Sequence, residues 1–153
     1  PPEVDLKAEV ALGNVVRALS AADGPDGRPL VRAAHDLSNG GLVQSLVDSA
    51  LRFGIGGTFD VASAARRDCV GDHEMLLSES QARAFVAVPE AALKAVFAAA
   101  EAEGVDAVRI GTTGGDMLAI SGVDLLAAEG EGCGWIASID ELRELSETGR
   151  KHF

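Results

Sequence analysis

The chain opens on a helical pattern. Between Asp5 and Ser20, Ala8, Leu12, Val15, Val16 and Leu19 recur at helical spacing, while Lys7, Glu9 and Arg17 are free to face water. Asp23-Gly-Pro-Asp-Gly-Arg-Pro29 breaks the pattern with two prolines and two glycines and reads as loop. The apolar run Leu30–Ala34 then reads as a buried strand that places His35, Asp36, Ser38 and Asn39 at its end. A wide apolar face returns from Leu42 to Phe53 (Leu42, Val43, Leu46, Val47, Ala50, Leu51), with Gln44, Ser45 and Asp48 on the polar side and Gly54 as C-terminal cap.

The remainder alternates short strands with helices. Ile55–Val61 predicts a strand loosened by Gly56 and Gly57, and 62–72 fits either a short helix or a surface loop. Glu74–Ser80 predicts a short apolar element, and Ala82–Val88 is the clearest strand. Pro89 opens a helix to Glu103 that buries Leu93, Val96, Phe97 and Ala100 and stops at Gly104. Ala107–Thr112 and Met117–Ser121 predict a hairpin about a Thr-Gly-Gly turn. Val123–Cys133 shows little periodicity, and its acidic part, 127–132, predicts an exposed loop. Trp135-Ile136 predicts a short last strand. Ser138-Ile-Asp-Glu141 has the spacing of a capping box, starting a helix that buries Ile139, Leu142 and Leu145. The order predicts an α/β (α+β) domain, a mixed sheet covered by helices, with residues 1–153 as a single domain.

Charge narrows the partners. The formal net charge is −11, which disfavours nucleic acid, since binding there depends on a basic surface that displaces counterions. A small anionic ligand is still compatible, because glycine turns, helix N-termini and a few arginines hold phosphate locally. No apolar run approaches the ~20 residues of a membrane span, so no membrane partner and no signal peptide are expected. Pro1-Pro2-Glu3-Val4-Asp5 reads as a linker or an internal start, as in a piece of a longer protein. Cys69 and Cys133 fit no metal spacing and are read as reduced thiols.

Three clusters carry candidate chemistry. In His35-Asp36-Leu-Ser38-Asn39-Gly40-Gly41, Asp36 could hold a metal or a hydroxyl, and Ser38 and Asn39 could donate to phosphate. The same residues could instead be architectural, with Asp36 or Ser38 capping the following helix, Asn39 in a left-handed turn and His35 a satisfied, half-buried ring. Ser78-Glu79-Ser80-Gln81 could grip a polar ligand, with Arg83 two residues on, or be an exposed polar turn. Gly111-Thr-Thr-Gly-Gly-Asp116 lacks the lysine of a P-loop and reads better as a hairpin turn. Histidines at 35, 73 and 152 form no metal triad, and Arg66-Arg67 reads as a solvated surface pair.

Taken together, His35-Asp-Leu-Ser-Asn-Gly-Gly-Leu42, Leu77-Ser-Glu-Ser-Gln-Ala-Arg83, and Arg109-Ile-Gly111 with Gly115-Asp116 resemble the C-terminal domain of phosphoribosylformylglycinamidine (FGAM) synthase, large subunit or subunit II. That enzyme belongs with aminoimidazole ribonucleotide synthetase, selenophosphate synthetase and thiamine-monophosphate kinase. The resemblance implies an aminoimidazole ribonucleotide synthetase C-terminal-domain-like fold and a cytoplasmic, ATP-dependent ligase of purine biosynthesis. That ligase converts FGAR and glutamine-derived ammonia to FGAM. ATP and Mg²⁺ would serve the full-length enzyme, with none held tightly by this piece. The partners would be an ATP-binding-type domain of the same chain and a glutaminase subunit or domain.

The resemblance assigns Ser78, Glu79, Ser80 and Gln81 to a substrate- or nucleotide-facing wall and Asp36, Ser38 and Asn39 to its edge. It places no catalytic residue and no metal ligand in this chain, which is expected to be inactive alone. The competing expectations are a domain of a thiamine-monophosphate kinase or selenophosphate synthetase type of enzyme, and a non-catalytic assembly module.

Overall fold

The structure, a computed structural model, describes residues 4–68, 71–122 and 134–150. The acidic stretch 127–132, both cysteines, His152 and the side chains of Arg67 and His73 fall outside what is described. The chain divides into two compact units, one of Pro1–Ser38 with Glu79–Val108, the other of Asn39–Ser78 with Arg109–Phe153.

The first unit is built on α1 (Leu6–Ser20), β1 (Ala33–Asp36), β3 (Ala84–Ala87) and α5 (Leu93–Ala102). Asp5 starts α1 by accepting from the backbone N–H of Lys7 and Ala8, which satisfies donors that the first turn otherwise leaves orphaned. The predicted stripe is the buried one. Val15 and Leu19 pack with Leu30 and Ala92, and Val88, Val96, Ala99 and Val105 close around them. Along α5 the buried stripe is narrower than expected. Ala92 and Ala100 are buried and Val96 packs on the core, but Phe97 is 41% exposed, at the edge of the inward stripe.

β1 corrects the strand predicted at Leu30–Ala34. It runs antiparallel to β3 with Ala33 opposite Ala87 and Asp36 opposite Ala84. His35 and Asp36 therefore lie in the strand rather than beyond it. The strand alternates half-buried and exposed positions, so it is not a buried one. The reason is the loop before it: Leu30 N–H donates to Ala22 O and Gly24 N–H to Arg28 O, and these bonds spend Leu30 as a core anchor before any ladder begins.

The second unit holds β2 (Gly57–Asp60), β4 (Gly111–Thr113), β5 (Met117–Ser121) and β6 (Gly134–Ser138), in the order β4-β2-β5-β6. β2 pairs parallel with β5 and antiparallel with β4, and β5 pairs antiparallel with β6. The sheet is mixed, as expected. The predicted hairpin is not formed, since β4 and β5 both pair with β2 and not with each other. Gly56 is the cause: its N–H donates to Gly115 O and its carbonyl accepts from Gly114 N–H. The start of β2 is thus threaded between the two segments that local pattern would have joined.

Helices α2 (Gly41–Phe53), α3 (Ala62–Asp68), α4 (Asp72–Leu77) and α6 (Ile139–Arg150) complete this unit, with α2 packed on α4 and α6. The alternatives at 62–72 are decided in favour of helix over Ala62–Asp68. Its core includes Leu42, Leu46, Phe59, Val61, Met75, Leu76, Leu118 and Ile120. Ser45, predicted on the polar face of α2, is 1% exposed, and its hydroxyl donates to Gly41 O at 2.8 Å. That back-bond within one turn satisfies the buried hydroxyl. The capping box forms as predicted: Ser138 N–H donates to Glu141 Oε2 at 2.8 Å and Glu141 N–H to Ser138 Oγ at 3.2 Å. Ile139 and Leu142 are buried, whereas Leu145 is 68% exposed, at the rim of a cavity of about 450 Å³ lined by Val43, Val47, Ile120, Trp135 and Leu142.

Candidate functional site

The two motifs are brought together separately within each unit. In the first unit the end of β1 meets the start of β3. Asp36 lies opposite Ala84, and Leu37 N–H donates to Arg83 O at 3.0 Å. The ladder therefore sets Asp36 and Ser38 beside the backbone that follows Glu79, Ser80 and Gln81. Asp36 and Ser38 are exposed, Ser80 is half-buried, and Glu79 and Gln81 are exposed. Arg83 is half-buried and its Nη1 donates to Ser80 Oγ at 3.4 Å. Gln81 and Arg83 both lie before β3 and share no strand face. The strand begins at Ala84, and Ala82 between them takes a left-handed φ of 56°.

Asp36 has its carboxyl held below its ordinary value of 3.8, mainly by a hydrogen bond from the Ser38 side chain. Its own backbone amide adds to this, and the neighbouring His35 contributes a smaller part. His35 stacks on Phe85 with ring centroids 5.9 Å apart. Its Nδ1 sits 2.6 Å from Asp36 O, so the Nδ1–H donates to that carbonyl. The architectural reading of His35 as a satisfied, half-buried ring is borne out.

In the second unit the start of α2 meets the end of α4. Gly40 and Gly41 have φ of 74° and 66°. A Cβ on Gly41 would stand 2.7 Å from both Leu76 O and Leu77 C. Only glycine allows that backbone to press against the turn leading into Ser78. Ser78 N–H caps α4 by donating to Glu74 O at 3.0 Å. The side-chain cap expected from Asp36 or Ser38 and the left-handed turn expected at Asn39 are not formed. Gly40 is the N-cap of α2, with no side-chain cap, and Asn39 is not among the residues of positive φ. Left-handed glycines turn the chain into the helix.

Arg109 braces its own turn, donating from Nη2 to Thr112 Oγ1 at 3.1 Å. Among the described residues no three His, Cys, Asp or Glu side chains gather as a metal-binding group, and no helix is long and apolar enough to cross a membrane. The chain passes between its two units after Ser38, after Ser78 and after Val108. These three places fall in or beside the three motifs singled out from sequence.

Residues 1–121 match the family model described as AIR synthase related protein, C-terminal domain. The chain belongs to that family. Its similarity to FGAM synthase subunit PurL is equally plain. The chain is 43% identical over 122 residues to that subunit from a Bradyrhizobium species, covering 80% of this chain and 15% of the relative. It is 39% identical over 147 residues to that of Renibacterium salmoninarum, covering 96% of this chain and 17% of the relative. The chain thus spans about a sixth of the length of these relatives. Among solved structures, Thermotoga maritima PurL complexed with ATP matches 74% of this chain and 19% of its own, with a TM-score of 0.58 and 16% identity. That likeness bears out the fold.

Proposed function

We propose that this chain is the corresponding domain of an FGAM synthase and works as part of a longer synthetase. The observation that carries the reading is identity of 39–43% to PurL sequences over 80–96% of the chain. The reaction is ATP-dependent: the formyl amide oxygen of FGAR attacks the γ-phosphorus of ATP, ADP leaves, and ammonia displaces phosphate from the iminophosphate to give the amidine. ATP is a ligand of the solved Thermotoga protein by its description, in keeping with a nucleotide in the whole enzyme.

Residues 1–153 act as one domain of that enzyme, beside an ATP-binding-type domain of the same chain, with a glutaminase subunit or domain delivering ammonia in the cytoplasm. Ser78, Glu79, Ser80 and Gln81 offer hydroxyls, a carboxylate and an amide to the substrate or nucleotide, and Asp36, Ser38 and Asn39 offer a carboxylate, a hydroxyl and an amide. Ionised Asp36 accepts from ligand hydroxyls, and Arg83 supplies positive charge behind Ser80. Mg²⁺ is held by one or two carboxylates together with phosphate oxygens and water. This donor set fits at most a share in such an ion, through Asp36 or Glu79.

No residue of this chain is assigned to the chemistry itself, because in-line phosphoryl transfer needs nucleotide, metal and acceptor fixed together. The isolated chain therefore makes no FGAM from ATP, FGAR and ammonia. Turnover above a no-enzyme blank would overturn that. Asp36→Ala and Gln81→Ala in the full-length synthase test the wall. Each is expected to lower kcat/KM by about tenfold, the scale of a lost charge-assisted contact. Unchanged kinetics and unchanged melting temperature in both would remove the assignment.

A further inference from the structure

Among the described residues Ala82 is the non-glycine residue of positive φ, at 56°. It directly follows Gln81 and directly precedes the backbone that pairs with β1. A side chain with a Cβ costs free energy in this conformation, and such residues persist where surroundings hold them. What holds this one is distant in sequence. Glu9 Oε1 accepts from Ala82 N–H at 2.7 Å, a partly buried bond spanning 73 residues. The sequence reading left Glu9 to face water, but it is half-buried. Glu9 is itself fixed, since its N–H donates to Asp5 O at 3.1 Å in the first turn of α1, and Asp5 caps that turn.

We infer that Glu9 is a positioning residue for the Ser78–Gln81 segment. By gripping the amide of the peptide between Gln81 and Ala82, its carboxylate sets the direction of the chain at Gln81 and holds the left-handed turn that follows, ahead of β3. It touches no ligand. Charge-assisted bonds to a backbone N–H are short and strong, and the carboxylate recruited here comes from a helix anchored in the core by Val15 and Leu19. The inference rests on the proposed role of Ser78–Gln81, and its test separates the two.

In the isolated chain, hydrogen exchange at the Ala82 amide should accelerate by about tenfold or more in Glu9→Ala and little in Glu9→Gln, which keeps an acceptor oxygen. Equal exchange in wild type and Glu9→Ala would overturn the inference. In the full-length synthase, Glu9→Ala should raise the KM for ATP or FGAR by about three- to tenfold with kcat changed less, and Glu9→Gln should recover most of it. Ala82→Gly in the Glu9→Ala background should also recover part of the loss, because glycine holds the turn without help. A purely structural role for Glu9 would show as a fall in melting temperature with KM unmoved, and that result overturns the positioning role. If Gln81→Ala changes KM and Glu9→Ala does not, the positioning fails alone. If neither does, the assignment of the segment fails and takes the positioning with it.

Discussion

Gly41 allows a quantitative test of how the second unit is closed. Replacing it with alanine imposes two costs. The first is conformational: at φ 66° a Cβ costs about 1–2 kcal/mol. The second is steric. The new Cβ would stand 2.7 Å from Leu76 O and Leu77 C, about 0.7 Å inside ordinary contact. Both are backbone atoms at the end of α4, whose Leu76 is 1% exposed, so relief requires shifting a buried helix end. Overpacking of this kind costs about 1–3 kcal/mol, and the total is about 2–5 kcal/mol.

Gly54 supplies the control. It has φ of 63° and nothing within 4 Å of a built Cβ, so Gly54→Ala carries the conformational cost without the steric one. Urea melts should therefore show Gly41→Ala losing about 1–3 kcal/mol more than Gly54→Ala. In thermal melts each kcal/mol is worth about 2–4 °C for a chain of this size. Equal losses in the two variants would refute the claim that α2 and α4 meet through backbone contact at Gly41.

Other outcomes follow from the same structure. Leu76→Ala, at a site 1% exposed, should cost about 2–5 kcal/mol in denaturant melts. Ser45→Ala removes the bond to Gly41 O and should cost about 0.5–1.5 kcal/mol in the same assay. Asp5→Ala deletes the cap of α1 and should cost about 1 kcal/mol, with the first turn fraying in amide exchange. For pH dependence, the Asp36 carboxyl is held below 3.8 in the folded chain, so the unfolded chain binds that proton more tightly. The stabilisation is present above the ordinary carboxylate value and is lost as pH falls through the lowered folded one. The side chain is 73% exposed and solvent screens the effect, so Asp36→Asn should flatten the acid limb of stability only slightly in melts between pH 2 and 6.

The features legible in the sequence were those whose physics is local. The α1 stripe, the Gly54 cap and the Ser138–Glu141 box each depend on residues within a turn or two, and each formed. The misplaced features depend on distant partners. The run at Leu30–Ala34 is as apolar as a strand, yet Leu30 is spent on the core through a loop bond to Ala22. No local pattern could show Gly56 threading between Gly114 and Gly115. The stripes of α5 and α6 had the right period, but their width was not legible, so Phe97 and Leu145 remain exposed. For the candidate site, the motifs told which residues share chemistry. The β1–β3 register told which of them are neighbours, and Glu9 was hidden because its partner is a backbone amide 73 residues away.

The threading of β2 also constrains how the protein can be made. Gly57 pairs with Leu118 in parallel and with Thr113 in antiparallel fashion. A nascent chain therefore exposes an unpaired central strand for more than 50 residues of synthesis before either neighbour leaves the ribosome. Parallel pairing at such separation is intrinsically slow, because loop closure must be met before contacts reward it. The first unit needs residues only as far as Val108 and can mature earlier, while the second awaits β6 and α6. Truncation near residue 110 would leave β2 an open strand edge, with both of its partners gone, in a state prone to self-association.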